Sequence, residues 1–281
     1  MNITADTLSN TFAIVNDSFI TTDKASLLVN DMAIQRAYGV FDFLRTINGK
    51  FVHVDDHLDR FIYSASQMRL QHGKTKEQLK QLLDELAAKN KLPDSGIRIT
   101  LTGGYSEDGY SIATPNLIIY QKPLLVNKQN QQDGIRLVSY EHQRQLPHLK
   151  TIDYIMAIWL RPFIAQHNAD DVIYHKEGSV TECPRSNVFI VTKDDRIVTP
   201  ANNILKGITR KHIIEAAKNH FIVEEKDVTI DDILQAKEAF ITSTTKQLLP
   251  IFQLDGNKVG NGKSGEITMS LREQTISLIS P

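Results

Sequence analysis

The chain has a single cysteine, Cys183, so it cannot close a disulfide within itself. A cytoplasmic location is the expectation that follows from this scarcity. No run of about 18 apolar residues occurs, which argues against a membrane-spanning helix. The first residues, Met1-Asn2-Ile3-Thr4-Ala5-Asp6, lack a basic stretch followed by an apolar one, so no signal peptide is expected. Neither sign of charge is in excess: 32 Lys+Arg against 33 Asp+Glu leave a formal net charge of −1. That balance offers no electrostatic footprint for nucleic acid or an anionic membrane. Internal repeats and low-complexity tracts are also missing. What is present, 281 residues with 41% apolar and 23% charged, reads as an ordinary globular composition. It is long enough for a full core and for two domains.

The pattern along the chain is mixed α and β. Phe12-Ala13-Ile14-Val15 and Phe19-Ile20 read as strands around the turn pair Asn16-Asp17. Phe41 to Ile47 alternates loosely, and Asn48-Gly49 signals a hairpin before Phe51-Val52-His53. Asp55-Asp56 caps a helix whose apolar stripe is Leu58, Phe61, Ile62, Ala65 and Met68. Thr75 to Gln78 is a capping box opening a second helix, with Leu79, Leu82, Leu83 and Leu86 on one face. Ile97 to Thr102 and Asn116 to Tyr120 are further strands. The polar segment 126–134, ending in Asp133-Gly134, reads as a linker between a domain of residues 1–125 and one of residues 135–281. Beyond it come a helix from about Asp153 to His167, kinked or shifted by Pro162, and a helix capped by Thr209 with Ile213, Ile214 and Ala217 behind it. A short helix near Asp231–Lys237 precedes the strand Ala239 to Thr242.

One stretch organises the rest. Leu149-Lys150-Thr151-Ile152-Asp153-Tyr154 leads through a helical pattern to Asp171-Val172-Ile173-Tyr174, and a turn then returns Gly178-Ser179-Val180-Thr181-Glu182. Ser186 to Val191 follows as a strand. A lysine amine is a nucleophile once deprotonated, which suits Schiff-base chemistry. Glu182 brings back a single carboxylate 32 positions after Lys150. In a chain this rich in both residue types, that pairing alone is weak.

The wording around it is specific. Lys-Thr-Ile-Asp-Tyr, then Gly-Ser-Val-Thr-Glu-x-x-x-Ser-Asn-Val-Phe, then Leu205-Lys206-Gly207-Ile208-Thr209-Arg210 resembles the class IV (fold type IV) aminotransferases, which depend on pyridoxal phosphate (PLP). The likeness runs from about Phe12 to Arg272. It implies an α/β (α+β) architecture with a small N-terminal and a larger C-terminal domain, and a homodimer that handles amino acids and 2-oxo acids. It implies no metal. By the same resemblance Lys150 is the Schiff-base and proton-shuttling lysine, and Glu182 faces the pyridine nitrogen. Arg60, Gly207, Ile208, Thr209 and Thr244 contact the phosphate, and Tyr154 contacts the phenolic oxygen. Gly207 to Thr209 precede a helix, whose N-terminal amides suit an anion. Cys183 reads as a packing residue.

Substrate contacts fall on Arg36, Phe41, Arg98 and Thr245, since an arginine fork binds an α-carboxylate bidentately. The Arg-x-His-type trap of the best-known D-amino acid enzymes is absent, as is the Phe-Glu-Gly-Ile-Arg run of the branched-chain group. Arg36 with Tyr38-Gly39 and Phe41-Asp42, together with Arg98 and Gly103-Gly104-Tyr105, resembles a less typical D-specific subgroup. The expectation is a ping-pong D-amino acid transaminase of the D-alanine/D-glutamate type. Branched-chain L-amino acid aminotransferase and aminodeoxychorismate lyase remain the alternatives.

Overall fold

The computed structural model describes residues 10–124 and 134–279. Apart from Gly134, the polar segment 126–134 lies outside the described residues. These residues form two compact units. The first comprises residues 10–124 with Leu149–Asp153, and the second residues 134–148 with 154–279.

The first unit is a six-stranded sheet in the order β2-β1-β6-β5-β3-β4. Its strands are β1 (Phe12–Val15), β2 (Ser18–Thr21), β3 (Gly39–Ile47), β4 (Lys50–Phe51), β5 (Ser95–Thr102) and β6 (Leu117–Pro123). All its pairings are antiparallel. Asn48 and Gly49 join β3 to β4 with φ of 49° and 78°, the two positive angles that a tight hairpin turn demands. Between the strands lie helices α1 (Met32–Arg36), α2 (Val54–Gln67) and α3 (Lys76–Asn90). Leu58, Phe61 and Ala65 of α2 and Leu79, Leu83 and Leu86 of α3 are buried against the sheet, as their spacing predicts.

The capping box of α3 is present: Gln78 N donates to Thr75 Oγ1 (3.2 Å), and Thr75 N donates to Gln78 Oε1 (2.8 Å). The start of α2 differs from expectation. His53 is its N-cap, in the left-handed region and without a side-chain bond. Asp55 and Asp56 sit in the first turn, where their charges oppose the positive end of the helix dipole.

A buried carboxylate ties α1 to the sheet. Asp31, fully buried, accepts from Ala33 N (2.7 Å), Thr102 Oγ1 (2.8 Å) and Asn116 Nδ2 (2.8 Å). It thereby caps α1 and pins it to the end of β5.

The second unit carries a mixed nine-stranded sheet in the order β12-β11-β10-β13-β14-β7-β8-β9, with β15 on β14. The strands are β7 (Ile135–Glu141), β8 (Asp171–Lys176), β9 (Ser179–Val180), β10 (Asn187–Val191), β11 (Ile197–Thr199), β12 (Val223–Glu225), β13 (Glu238–Ser243), β14 (Gln247–Leu254) and β15 (Asn257–Lys258). The helices are α4 (Ile155–Trp159), α5 (Arg161–Gln166), α6 (Ile208–Ala217), α7 (Ile230–Gln235) and α8 (Glu266–Ile279). β10 and β13 are buried on both faces, which fits the apolar runs Val188–Val191 and Ala239–Ile241 within them. Val188, Ile190 and Ile241 join one core cluster, and Phe189, Val191 and Phe240 join another with Ile213, Ile214 and Leu271. Phe189 and Phe240 are cross-strand partners, and their rings stack 4.9 Å apart.

The helix expected over 153–167 is two short helices broken at Leu160, with Pro162 in the first turn of α5. Thr209 is not a cap, because α6 begins at Ile208 with Gly207 as its N-cap. The helix expected near 231–237 runs from Ile230 to Gln235 and is capped by Thr229, which forms a capping box with Asp232.

Replacing Asp31 with alanine strands an amide, a hydroxyl and a carboxamide donor. The expected cost is about 3 kcal/mol in a urea unfolding titration. A loss within 0.5 kcal/mol of zero, the usual range for surface changes, would show that Asp31 does not secure α1.

Candidate active site

Lys150 owes its position to an incomplete strand edge. β4 pairs only with Thr46 and Ile47, at the far end of β3. At the near end, Phe41 N donates to Lys150 O (2.9 Å) and Ile152 N donates to Gly39 O (3.1 Å), with Thr151 bridged to Val40. Lys150 N donates to Ser64 Oγ of α2 (3.3 Å). Gly39 is required here, since a Cβ would meet Leu101 O at 2.7 Å and Ile152 Cδ1 at 3.1 Å. The lysine amine then lies 4.7 Å from the centre of the Phe41 ring. The Arg98 guanidinium stacks on the same ring at 3.7 Å, and its Nε donates to Thr100 Oγ1 (3.3 Å). The structure therefore brings Lys150, Phe41 and Arg98 together.

Asp42 points to the opposite face of β3 from Phe41, as pleating requires. It is fully buried. Arg60 of α2 donates to it twice, Nε to Oδ2 (2.8 Å) and Nη2 to Oδ1 (2.9 Å). His57 Nδ1 donates to Oδ1 at 2.6 Å. Burial alone would raise the Asp42 pKa, but Arg60 and His57 outweigh it and hold the carboxyl well below its usual range. Burial lowers the His57 pKa despite the neighbouring carboxylate, which keeps the imidazole neutral near pH 7. Arg36 stands at the exposed C-terminal end of α1, with Nη1 donating to Gln35 O (2.7 Å).

In the second unit Glu182 is buried on the segment between β9 and β10. Arg144 Nε donates to its Oε1 (2.7 Å) and Leu205 N to its Oε2 (3.0 Å), while Arg144 Nη2 holds Pro147 O (2.6 Å). The loop before α6 is fixed by buried Asn187, whose Nδ2 donates to Leu205 O (2.7 Å). A Cβ on Gly207 would lie 2.2 Å from Asn187 Oδ1, so only glycine fits. No side chain caps α6, so the amides at its start remain available to an anion.

Thr242 is paired across the strands with Asn187, placing both side chains on one face of the sheet. Thr242 Oγ1 is buried and makes no hydrogen bond among the described residues, and the same holds for Ser186 Oγ. Thr244 and Thr245 lie in the turn between β13 and β14, Thr244 half-buried and Thr245 exposed. Tyr154 borders a cavity of about 520 Å³ that is also lined by Ile158, Arg161, Ile164 and Arg185. Burial raises the Cys183 pKa and keeps it a thiol, consistent with a packing residue.

Sequence reading missed Asp42, His57, Arg144, Asn187 and Thr242. Only His57 carried a local signal, being three residues before Arg60 and hence on the same helical face.

The chain as a whole is similar to known proteins. Residues 39–254 match the family model described as amino-transferase class IV. The chain is 31% identical over 267 residues to D-alanine aminotransferase of Staphylococcus haemolyticus, covering 92% of this chain and 94% of that one. It is 33% identical over 276 residues to D-alanine aminotransferase of Listeria innocua, covering 95% of each. Among solved structures it resembles the branched-chain amino acid aminotransferase of Escherichia coli, with a TM-score of 0.86 at 21% identity, covering 96% of this chain and 95% of that one. The branched-chain aminotransferase of Thermoproteus uzoniensis, solved with norvaline, is similar at a TM-score of 0.86 and 24% identity, with coverage of 96% and 94%. The chain belongs to the class IV aminotransferases and has their two-unit α/β fold. Among the described residues, no helix is long and apolar enough to cross a membrane.

Gly207→Ala is expected to break the Asn187–Leu205 contact and to lower stability by about 2 kcal/mol. Because Leu205 N is bonded to Glu182, its amide should also exchange faster with solvent. Unchanged exchange at Leu205 would show that the loop tolerates a side chain at position 207.

Proposed function

We propose that the chain is a PLP-dependent transaminase that moves an amino group between D-amino acids, of the D-alanine/D-glutamate type, and 2-oxo acids by a ping-pong route. The observation that carries this reading is the lysine amine held beside Phe41 and Arg98 on the edge of β3. Identities of 31–33% to D-alanine aminotransferases over nearly the whole chain support the D-series.

The residues present fit the cofactor. The buried, unbonded hydroxyl of Thr242, the glycine-only position 207 and the uncapped start of α6 together suit a phosphate. Gly207, Ile208, Thr209, Thr244 and Arg60 would hold that phosphate, Tyr154 the phenolic oxygen and Lys150 the reactive carbon. Glu182, oriented by Arg144 and Leu205 N, would keep a proton on the pyridine nitrogen. When bound, PLP supplies an electron sink for negative charge at the amino acid Cα.

The protein's own part is positioning and proton transfer. Lys150 Nζ, once free, removes a proton from one carbon and returns it to another. Arg98, fixed by the Phe41 ring and Thr100, binds the substrate carboxylate, with Arg36 and Thr245 as further contacts. Leu28, Val29 and Ile34, 62%, 78% and 58% exposed, lie just before or on the helix bearing Arg36. They support a homodimer in which a second copy covers them. We read residues 1–125 as the small domain, 126–134 as the linker and 135–281 as the cofactor domain, in a cytoplasmic enzyme.

Adding D-alanine, D-glutamate, L-leucine and L-glutamate separately to the PLP form tests this reading. Only the D-amino acids should bleach the bound-cofactor absorbance. Bleaching by the L-amino acids alone would establish the branched-chain activity, and no response would favour the lyase. Lys150→Ala should lower turnover by at least about 10³-fold while leaving the circular dichroism spectrum unchanged. Full activity in that variant would overturn the assignment.

A further inference from the structure

Arg60 has three guanidinium nitrogens, and two of them are already committed. Nε and Nη2 clasp Asp42 at 2.8 and 2.9 Å, side-on and in one plane. Nη1 makes no bond among the described residues. The acceptor is equally constrained: Asp42 has no solvent exposure, and His57 Nδ1 holds its Oδ1 at 2.6 Å. His57 is itself 2% exposed. A long arginine side chain ordinarily samples many rotamers, and ordering it costs up to about 2 kcal/mol. Here that cost is met in the protein alone, before any ligand arrives.

We propose that Asp42 is a positioning residue for cofactor binding: clamped by His57, it holds the Arg60 fork by two nitrogens and leaves Nη1 as a single directed donor to the cofactor phosphate. This rests on the reading of Arg60 as a phosphate contact. Two consequences separate it from a general role of Asp42 in folding. Arg60 works as an aimed hydrogen-bond donor whose charge is already neutralised, so lysine cannot replace it. A lysine would spend its one ammonium on Asp42 and present no second nitrogen in a fixed direction. In addition, once Arg60 is gone, Asp42 has nothing to aim, so its removal should not weaken cofactor retention further.

The test is the rate at which PLP leaves the holoenzyme, followed by its absorbance in the presence of an excess of a PLP-scavenging apoprotein. Arg60→Ala, Arg60→Lys and Asp42→Asn are each expected to speed release by about tenfold to a hundredfold, the worth of one charge-assisted hydrogen bond. The double variant Asp42→Asn, Arg60→Ala should release PLP no faster than Arg60→Ala alone. Thermal unfolding, by contrast, should register the loss of Asp42 in either background. Fast release from Arg60→Ala with a normal rate from Asp42→Asn would overturn the positioning role while leaving Arg60 as a phosphate contact. Multiplying effects in the double variant would overturn it too. Release at the normal rate from Arg60→Ala would instead remove the phosphate contact on which the proposal rests. Should Asp42→Asn fail to fold, His57→Leu removes one of the bonds that clamp Oδ1 without removing the charge. The same cycle then applies, with faster release that is absent in the Arg60→Ala background.

Discussion

The position of Lys150 follows from the open edge of β3. A strand with unpaired amides and carbonyls must be covered, and β4 covers only its far end. The segment Lys150–Ile152 leaves the second unit, pairs with Gly39–Phe41 and returns at Tyr154. Two backbone bonds and the bond from Lys150 N to Ser64 fix the lysine Cα, and the Phe41 ring takes up the side chain. Gly39 is the steric condition for this arrangement, because any Cβ there would collide with Leu101 O and crowd Ile152. A flexible four-carbon stem is thus placed by strand pairing, which is far stiffer than the stem itself.

The buried carboxylates apply one rule three times. Asp31, Asp42 and Glu182 each accept hydrogen bonds from groups outside their own element, Asp42 from both Arg60 and His57 of α2. Burying an ion is unfavourable unless it is bonded on every side. Once such bonding is complete, the carboxylate becomes a rigid junction. Asp31 joins α1 to the end of β5, Asp42 aims a helix arginine, and Glu182 is held between Arg144 and the loop entering α6. Stability and orientation are therefore the same property at these positions.

Local signals in the chain were readable because their physics is local. Asn48-Gly49, the Thr75 capping box and the leucine stripe of α3 each depend on residues within one or two turns, and each formed as expected. Lys150, Glu182 and Gly207 stand out through the phrases that carry the resemblance, and their roles belong to the proposed function. The start of α2 was misread because His53 takes a left-handed conformation that no side-chain cap announces. Thr209 was misread as a cap because the steric demand on Gly207 comes from Asn187, which lies on another element. Asp42 appeared only as part of a phrase and Arg144 not at all, since their partners are distant in sequence and no spacing rule connects them.

The likeness to branched-chain enzymes in fold and to D-alanine enzymes in sequence is not a conflict. Under the proposed function, the parts they would share are a lysine, a carboxylate for the pyridine nitrogen and an anion cradle. None of these distinguishes enantiomers. Under the proposed function, discrimination falls to the groups that seat the substrate carboxylate, and the two candidate arginines differ physically. Arg98 is stacked on Phe41 and bonded to Thr100, so its guanidinium plane is fixed relative to the lysine amine. Arg36 stands at the exposed end of a five-residue helix and, among the described residues, bonds to Gln35 O. A guanidinium fixed by both a ring and a hydrogen bond can reject a carboxylate presented from the wrong side, whereas one held by a single bond adapts to it. On that proposal, stereochemical choice would rest on the pair of Arg98 and Phe41, with Arg36 contributing affinity more than handedness.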